Sequence, residues 1–336
     1  MSKLIETIRT RFPERRVVVV GDVVADQFLQ GTIARVSREA PVFILDHEET
    51  DTRAGGAANA AANVASLGGK PVLVGYIGND ANGELLGQAL AGSNVDGDFL
   101  VSDDRIQTTT KVRVLAGQQY APRQQVIRID YADRTPVPDD LLARLQTSFT
   151  SACEGAEAII VSDYNYGAAH RDIVALARRH SKAAGIPLLI DSRFRLSEFP
   201  DATAATPNQE EVEQILGREF STESCASLRE SLGYQALLVT RGNKGMTLYE
   251  DGTAPRHFEA VGSKEPIDVT GAGDTVIGAF ALGLGSGLSF ADAASVANHA
   301  GGIVVMKRGT ATVTSVELIA SLEIQPEDLS LASRPA

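Results

Sequence analysis

Residues 268–274 read Asp268-Val-Thr-Gly-Ala-Gly-Asp274 and run directly into Thr275-Val-Ile-Gly-Ala-Phe-Ala-Leu-Gly-Leu284, an apolar stretch of helical length. The small residues Gly271, Ala272 and Gly273 leave backbone amides facing open space at a helix N-terminus. Unpaired N–H groups and the helix dipole favour an anion there. Asp274 stands in the first turn beside this cradle and has two readings. It can offset the helix dipole, worth ~0.3–1 kcal/mol, or it can be a general base next to a bound phosphoryl group, taking the proton of an attacking hydroxyl.

A second segment, Arg53-Ala-Gly-Gly-Ala-Ala-Asn-Ala-Ala-Ala-Asn-Val-Ala-Ser-Leu-Gly68, joins a glycine turn to an Ala-rich helix. Asn59 and Asn63 are four residues apart and share a helical face, where neutral amides can bind sugar hydroxyls or satisfy nearby backbone. Around these segments, short apolar runs end in glycine or polar residues: Arg16-Val-Val-Val-Val-Gly21, Pro71-Val-Leu-Val-Gly75, Ala158-Ile-Ile-Val161, Pro187-Leu-Leu-Ile190 and Ala236-Leu-Leu-Val239. Runs of this kind suit central strands covered on both faces. Their alternation with helix-length segments predicts an α/β fold, a mostly parallel sheet wound with helices on both faces. Ligands then gather beyond the carboxyl ends of the strands, where Asp22, Asp163, Asp191 and Thr240 stand.

In their order, the two segments resemble the signatures of the ribokinase-like, or PfkB, family of small-molecule kinases, and the resemblance covers nearly the whole chain. Gly55, Gly56 and Asn59 look like the N-terminal sugar-binding signature. Asp268–Asp274 looks like the C-terminal one, with Val269 where Thr is frequent. Thr206-Pro-Asn-Gln-Glu-Glu211 is similar to the family's Asn-x-x-Glu element, which implies a magnesium and phosphate role for Asn208 and Glu211. Val239-Thr-Arg-Gly-Asn-Lys-Gly-Met246 looks like the nucleotide-binding loop, with Thr240, Arg241, Gly242 and Gly245 beside ATP, and Asn298 falls where the family closes on the adenine. Within the family, Gly21-Asp22 with Asp26, Val36-Ser-Arg-Glu-Ala-Pro-Val42, Thr108-Thr-Thr-Lys-Val-Arg-Val114, Ser162-Asp-Tyr164 and Lys307-Arg-Gly-Thr-Ala-Thr-Val313 look like the heptose 7-phosphate kinase branch. Asp191-Ser-Arg-Phe-Arg195 departs from the Pro-Lys-Gly expected there, and extra residues occur around Gln118–Arg123.

The resemblance implies a ribokinase-like domain over residues 1–325. A small β lid is expected over about 28–46 and 108–130, with a frayed tail at 326–336. It implies transfer of the γ-phosphoryl of ATP to a sugar hydroxyl, with D-glycero-D-manno-heptose 7-phosphate going to the 1,7-bisphosphate. Fructose, ribose, fructose 6-phosphate or a nucleoside are the alternative acceptors, and a non-catalytic sugar-binding module is the alternative from another class. Asp274 is the expected base, and the amides of Ala272, Gly273 and Asp274 are the expected anion hole. Asp22, Asp26, Gly55, Gly56, Asn59, Asn63 and Asp163 would hold the sugar. Lys111 and Arg113, with Arg38, Arg128 and Arg193 as further candidates, would meet a substrate phosphate. Mg2+ would sit largely through water at Asn208 and Glu211, and a monovalent cation such as K+ at Asp268. The few-stranded lid sheet would seek a partner surface, giving a homodimer.

Composition narrows the remaining classes. The 336 residues, 43% of them hydrophobic, allow one large core with a small appendage. A formal net charge of −12 argues against nucleic acid, whose binding draws on clustered Lys and Arg. No apolar run is long enough to span a membrane, and the first residues lack a signal-peptide core, so a cytoplasmic location is expected. Cys153 and Cys225 have no metal-ligand spacing, and His47, His170, His180, His257 and His299 are scattered. Neither G-x-G-x-x-G after the first strand nor G-x-x-x-x-G-K-[ST] occurs, which excludes dinucleotide oxidoreductases and P-loop NTPases. With no His-x-Gly-His motif downstream, the chain is expected to phosphorylate without adenylylating.

Overall fold

The computed structural model describes residues 2–118, 123–132, 136–263 and 265–323. The expected tail at 326–336, and part of the extra segment after Gln118, lie outside the described residues. The strands are β1 (Arg16–Gly21), β2 (Val23–Val36), β3 (Phe43–Gly56), β4 (Lys70–Gly78), β5 (Leu100–Asp103), β6 (Thr110–Gly117), β7 (Gln124–Tyr131), β8 (Ala158–Asp163), β9 (Leu188–Ser192), β10 (Ala204–Ala205), β11 (Ala236–Thr240), β12 (Met246–Glu250) and β13 (Arg256–Phe258). They form two sheets, ordered β13-β12-β11-β10-β9-β8-β1-β4-β5 and β3-β2-β6-β7.

In the large sheet, β5 through β11 run parallel, while β12 and β13 are added antiparallel at one edge. The unbroken apolar run of β1 reflects two covered faces. Val17 and Val19 enter the core shared with helices Ala57–Ser66, Ala272–Gly285 and Phe290–Val304. Val18 and Val20 enter the core shared with helices Asp139–Ala152, Arg171–Ala184 and Thr222–Ser231. The small residues of helices Ala57–Ser66 and Ala272–Gly285 let their backbones approach. A Cβ on Gly278 would lie 3.2 Å from the Ala60 carbonyl oxygen. That close crossing brings the two sequence signatures, more than two hundred residues apart, to one place.

The lid departs from its expected bounds of 28–46 and 108–130. β2 enters it at Val23, directly after Asp22 leaves β1, and β3 continues to Gly56. The stretch Asp46–Thr52 carries no apolar signal because this part of β3 is largely exposed to solvent, so pattern reading stops short of it. β2 pairs antiparallel with β3 and parallel with β6, and β6 pairs antiparallel with β7.

Candidate active site

Asp274 sits in the first turn of helix Ala272–Gly285, whose N-cap Gly271 adopts a left-handed φ of 76°. A Cβ there would stand 2.4 Å from Asn59 Nδ2, so glycine meets both a conformational and a steric requirement. The amide of Ala272 donates to the Val269 carbonyl in a turn, 3.2 Å, which narrows the expected three-amide hole. Among the described residues the amides of Gly273 and Asp274 make no such bond, and a Cβ on Gly273 would meet nothing within 4 Å. This is the open helix start, with free amides, that the small residues foreshadow.

The Asp274 side chain is buried and held from two sides. Asn59 Nδ2 donates to Oδ2 at 2.7 Å and the Tyr164 hydroxyl donates to Oδ1 at 2.8 Å. Burial pushes its carboxyl up to about 6, against the lowering by these two bonds; Asp26 adds to the rise and Lys111 opposes it. Asn63 donates to Asn59 and accepts from the Thr275 hydroxyl at 3.0 Å. The two asparagines therefore brace the crossing of the helices, with Asn59 touching the Asp274 carboxylate itself.

Asp22, expected at the sugar, is engaged elsewhere. Its carboxylate accepts the amides of Tyr164, Tyr166 and Ala168 at 2.8, 2.9 and 2.8 Å, fixing the loop after β8. Burial pushes it up to about 6 despite those donors. Asp163 is likewise turned inward, accepting from the Ser192 hydroxyl at 2.6 Å and paired with Arg195. Asp26 faces the site from β2, bound to Arg113 at 2.6 Å and to the Thr310 hydroxyl at 3.0 Å. A Cβ on Gly55 or Gly56 would come within 2.5 Å of Asp26 Oδ2 or the Asp22 backbone carbonyl, so Gly55 lets β3 close against the Asp26 carboxylate and Gly56 against the Asp22 backbone.

Lys111, 7% exposed, projects from β6 with its ammonium 4.9 Å from the Tyr164 ring centre and 5.5 Å from that of Tyr166. Burial lowers its pKa while Asp26 raises it, and Arg193 and Arg113 lower it further. Among the described residues the ammonium has no hydrogen-bond partner. Arg128 is exposed and paired with Asp130, and Arg38 lies in the exposed turn between β2 and β3.

In the segment expected beside magnesium and phosphate, Asn208 caps helix Gln209–Leu216. Its side chain accepts from the Glu211 amide at 2.9 Å while the Glu211 carboxylate accepts from the Asn208 amide at 2.8 Å. The Asn-x-x-Glu element is thus a capping box, a pattern legible in the sequence. Burial raises Glu211 to about 7. Asp191, at the end of β9, is the site residue that sequence reading left without a role. Burial lifts its pKa well above the usual range, and Glu211, Asp274 and Asp163 add to the rise. Thr240 bridges to Asn208, joining the Thr240–Gly245 loop to this cap. Arg241 stacks on Phe220, and the 3-10 turn Gly242–Lys244 ends at Gly245 against β13. Asn298 belongs to another network, donating to the Glu259 carbonyl at 2.7 Å. Asp268 accepts from the amides of Thr270 and Gly309, 2.9 and 2.8 Å, which ties the cradle loop to the 307–310 turn. No described helix is long and apolar enough to cross a membrane.

Comparison with known proteins agrees with this geometry. Residues 14–317 match the pfkB family carbohydrate kinase profile. The bifunctional protein HldE of Erwinia tasmaniensis is 40% identical over 325 residues, covering 94% of this chain and 65% of its own length. The HldE protein of Haemophilus influenzae is 39% identical over 325 residues, with the same coverage. The chain thus spans about two thirds of the length of these relatives. Among solved structures, Arabidopsis thaliana ribokinase complexed with ribose and ATP superposes with a TM-score of 0.70 at 23% identity, over 93% of this chain and 99% of that one. Escherichia coli phosphofructokinase-2 in complex with potassium gives 0.73 at 18% identity, over 92% and 99%. These two likenesses establish the ribokinase-like fold. With the fold, the cradle and the family match in agreement, the chain belongs to the pfkB family of carbohydrate kinases, phosphotransferases that act on a sugar hydroxyl.

Proposed function

We propose that the chain transfers the γ-phosphoryl group of ATP to a hydroxyl of D-glycero-D-manno-heptose 7-phosphate, giving the 1,7-bisphosphate. The observation that carries the reaction is the buried Asp274 carboxylate at the edge of the open cradle formed at Gly273. Asp274 takes the proton of the attacking hydroxyl, while the amides of Gly273 and Asp274 stabilise negative charge on the phosphoryl oxygens. A phosphorylated acceptor is favoured by Lys111, a buried cation without a hydrogen-bond partner among the described residues, with Arg113 and Arg193 near it. Thr240, Arg241, Gly242, Gly245 and Asn298 are assigned to the nucleotide side.

Glu211 and Asn208, with Asp191 beside them, are the residues that would hold Mg2+. The donor set fits a hard cation, because the half-buried, desolvated carboxyls of Glu211 and Asp191 are held above the ordinary carboxylate range and gain from a positive charge beside them. Bound there, Mg2+ neutralises charge on phosphate oxygens. We also assign a monovalent cation such as K+ to Asp268, and a homodimer to the exposed face of the lid.

The reading is tested by ATP- and Mg2+-dependent phosphorylation of a panel of heptose 7-phosphate, fructose 6-phosphate, fructose, ribose and adenosine. The expected result is a kcat/KM for the heptose phosphate at least tenfold above the others. Preference for an unphosphorylated sugar would discard the phosphate role of Lys111 and keep the kinase. No turnover of any acceptor would favour a sugar-binding module.

A further inference from the structure

The loop after β8 carries a side chain that the reaction as described does not use. Tyr164 is pinned at its backbone by Asp22, is covered on its ring by the Lys111 ammonium, and directs its hydroxyl to Asp274 Oδ1 at 2.8 Å. The other oxygen of the same carboxylate receives Asn59 at 2.7 Å. Each oxygen of Asp274 therefore has one neutral donor, from a separate element of the fold. Two such donors fix the carboxylate plane without neutralising its charge, whereas a cation in either place would weaken the base.

We propose that Tyr164 is a positioning residue for phosphoryl transfer, holding Asp274 ionised and oriented through its hydroxyl while Asp22 holds the loop that presents it. The proposal rests on the reading of Asp274 as the base. During transfer the acceptor oxygen forms its bond to the γ-phosphorus as its proton passes to Asp274. The bond from that phosphorus to the bridging oxygen breaks, with the electron pair leaving on ADP. Tyr164 keeps its own proton throughout. Desolvation and the charge of Asp274 push its phenol well above the ordinary range, so it remains a donor. The other groups facing Asp274 are Asn59 from its helix, Asp26 from β2, Lys111 from β6 and Asp191 from the end of β9. Of these, only Asn59 and Tyr164 hydrogen-bond to it among the described residues.

The test is carboxyl 13C titration of aspartate-labelled protein without substrate, the Asp274 resonance being identified by its loss in Asp274→Asn. In Tyr164→Phe the Asp274 midpoint should rise by about one pH unit, since losing a hydrogen bond to a charged group is worth about that much. With 3-fluorotyrosine at position 164, a stronger donor of nearly the same shape, the midpoint should fall. The acid limb of kcat should move with the midpoint, so that Tyr164→Phe loses about fivefold near pH 6 and recovers above pH 8. An Asp274 midpoint unchanged in both variants overturns the proposal. If Tyr164→Phe does not fold, the fluorotyrosine protein decides alone. Should Asp274→Asn retain turnover, the base reading fails, and the titration still shows whether Tyr164 governs this carboxylate.

Discussion

Asp274 combines a chemical use with a cost in stability. Asp274→Asn should lower kcat by ~10²–10⁴-fold, the range of general acid–base catalysis, measured as ADP release with the preferred acceptor. The same substitution should stabilise the fold at neutral pH. A carboxyl raised from the ordinary 3.8 to about 6 holds its proton more tightly in the folded state. Its contribution is fully present below the unfolded pKa and is lost as pH rises through 6, leaving a penalty of about 3 kcal/mol at pH 8. Thermal unfolding should therefore show Asp274→Asn a few degrees above the native protein at pH 8, with the gap closing towards pH 5. An unchanged gap across that range would remove the burial argument. Asp274 was legible because three small residues before an apolar helix mark an anion cradle. Tyr164 was not, since a tyrosine after a strand gives no sign of where its hydroxyl points. Asp22 was misplaced for the same reason: a strand-end carboxylate can serve ligands or backbone amides, and only the path of residues 164–168 decides between them.

At the scale of elements, the site depends on how closely two helices cross. Gly271→Ala forces a Cβ into Asn59 and an L side chain into a left-handed turn. Destabilisation of ~1–3 kcal/mol is expected by urea unfolding, together with lost turnover as Asn59 is pushed from Asp274. Retention of both stability and activity would show that the crossing tolerates more space than the geometry allows. The strands β1, β4, β8, β9 and β11 could be read from their apolar runs because both faces are covered. β10, only Ala204–Ala205, and the edge strand β13, only Arg256–Phe258, could not, since runs of two or three residues show no period. The capping box at Asn208 and Glu211 shows a limit of motif reading. One four-residue pattern serves helix initiation and the expected phosphate role alike, and sequence cannot divide the two.

For the whole molecule, the proposed homodimer rests on the outer face of the lid. Ile127 and Ile129 on β7 are 54% and 41% exposed, stand opposite Val114 and Val112 on β6, and lie on a strand whose other edge is unpaired. Sedimentation at micromolar concentration should give twice the 35.5 kDa chain mass, and Ile127→Glu with Ile129→Glu should return it to the single-chain mass. A native protein that sediments as one chain would remove the interface. The lid was legible as a β segment from Thr110–Val114 and Pro41–Leu45, while its length was hidden in the polar half of β3. Its connection to the body has a mechanical consequence. β2 and β3 leave the body at Val23 and Gly56, β6 enters from it at Thr110, and near this root Asp26, Gln27 and Arg53 are tied to Thr310, Asn82 and the Arg308 carbonyl. Val36 lies roughly 40 Å out along the strand and Asp26 about 10 Å, at ~3.3 Å per residue. A tilt about this tied root would sweep the far tip about four times as far as Asp26, so the residues nearest Asp274 are the ones such a tilt would displace least.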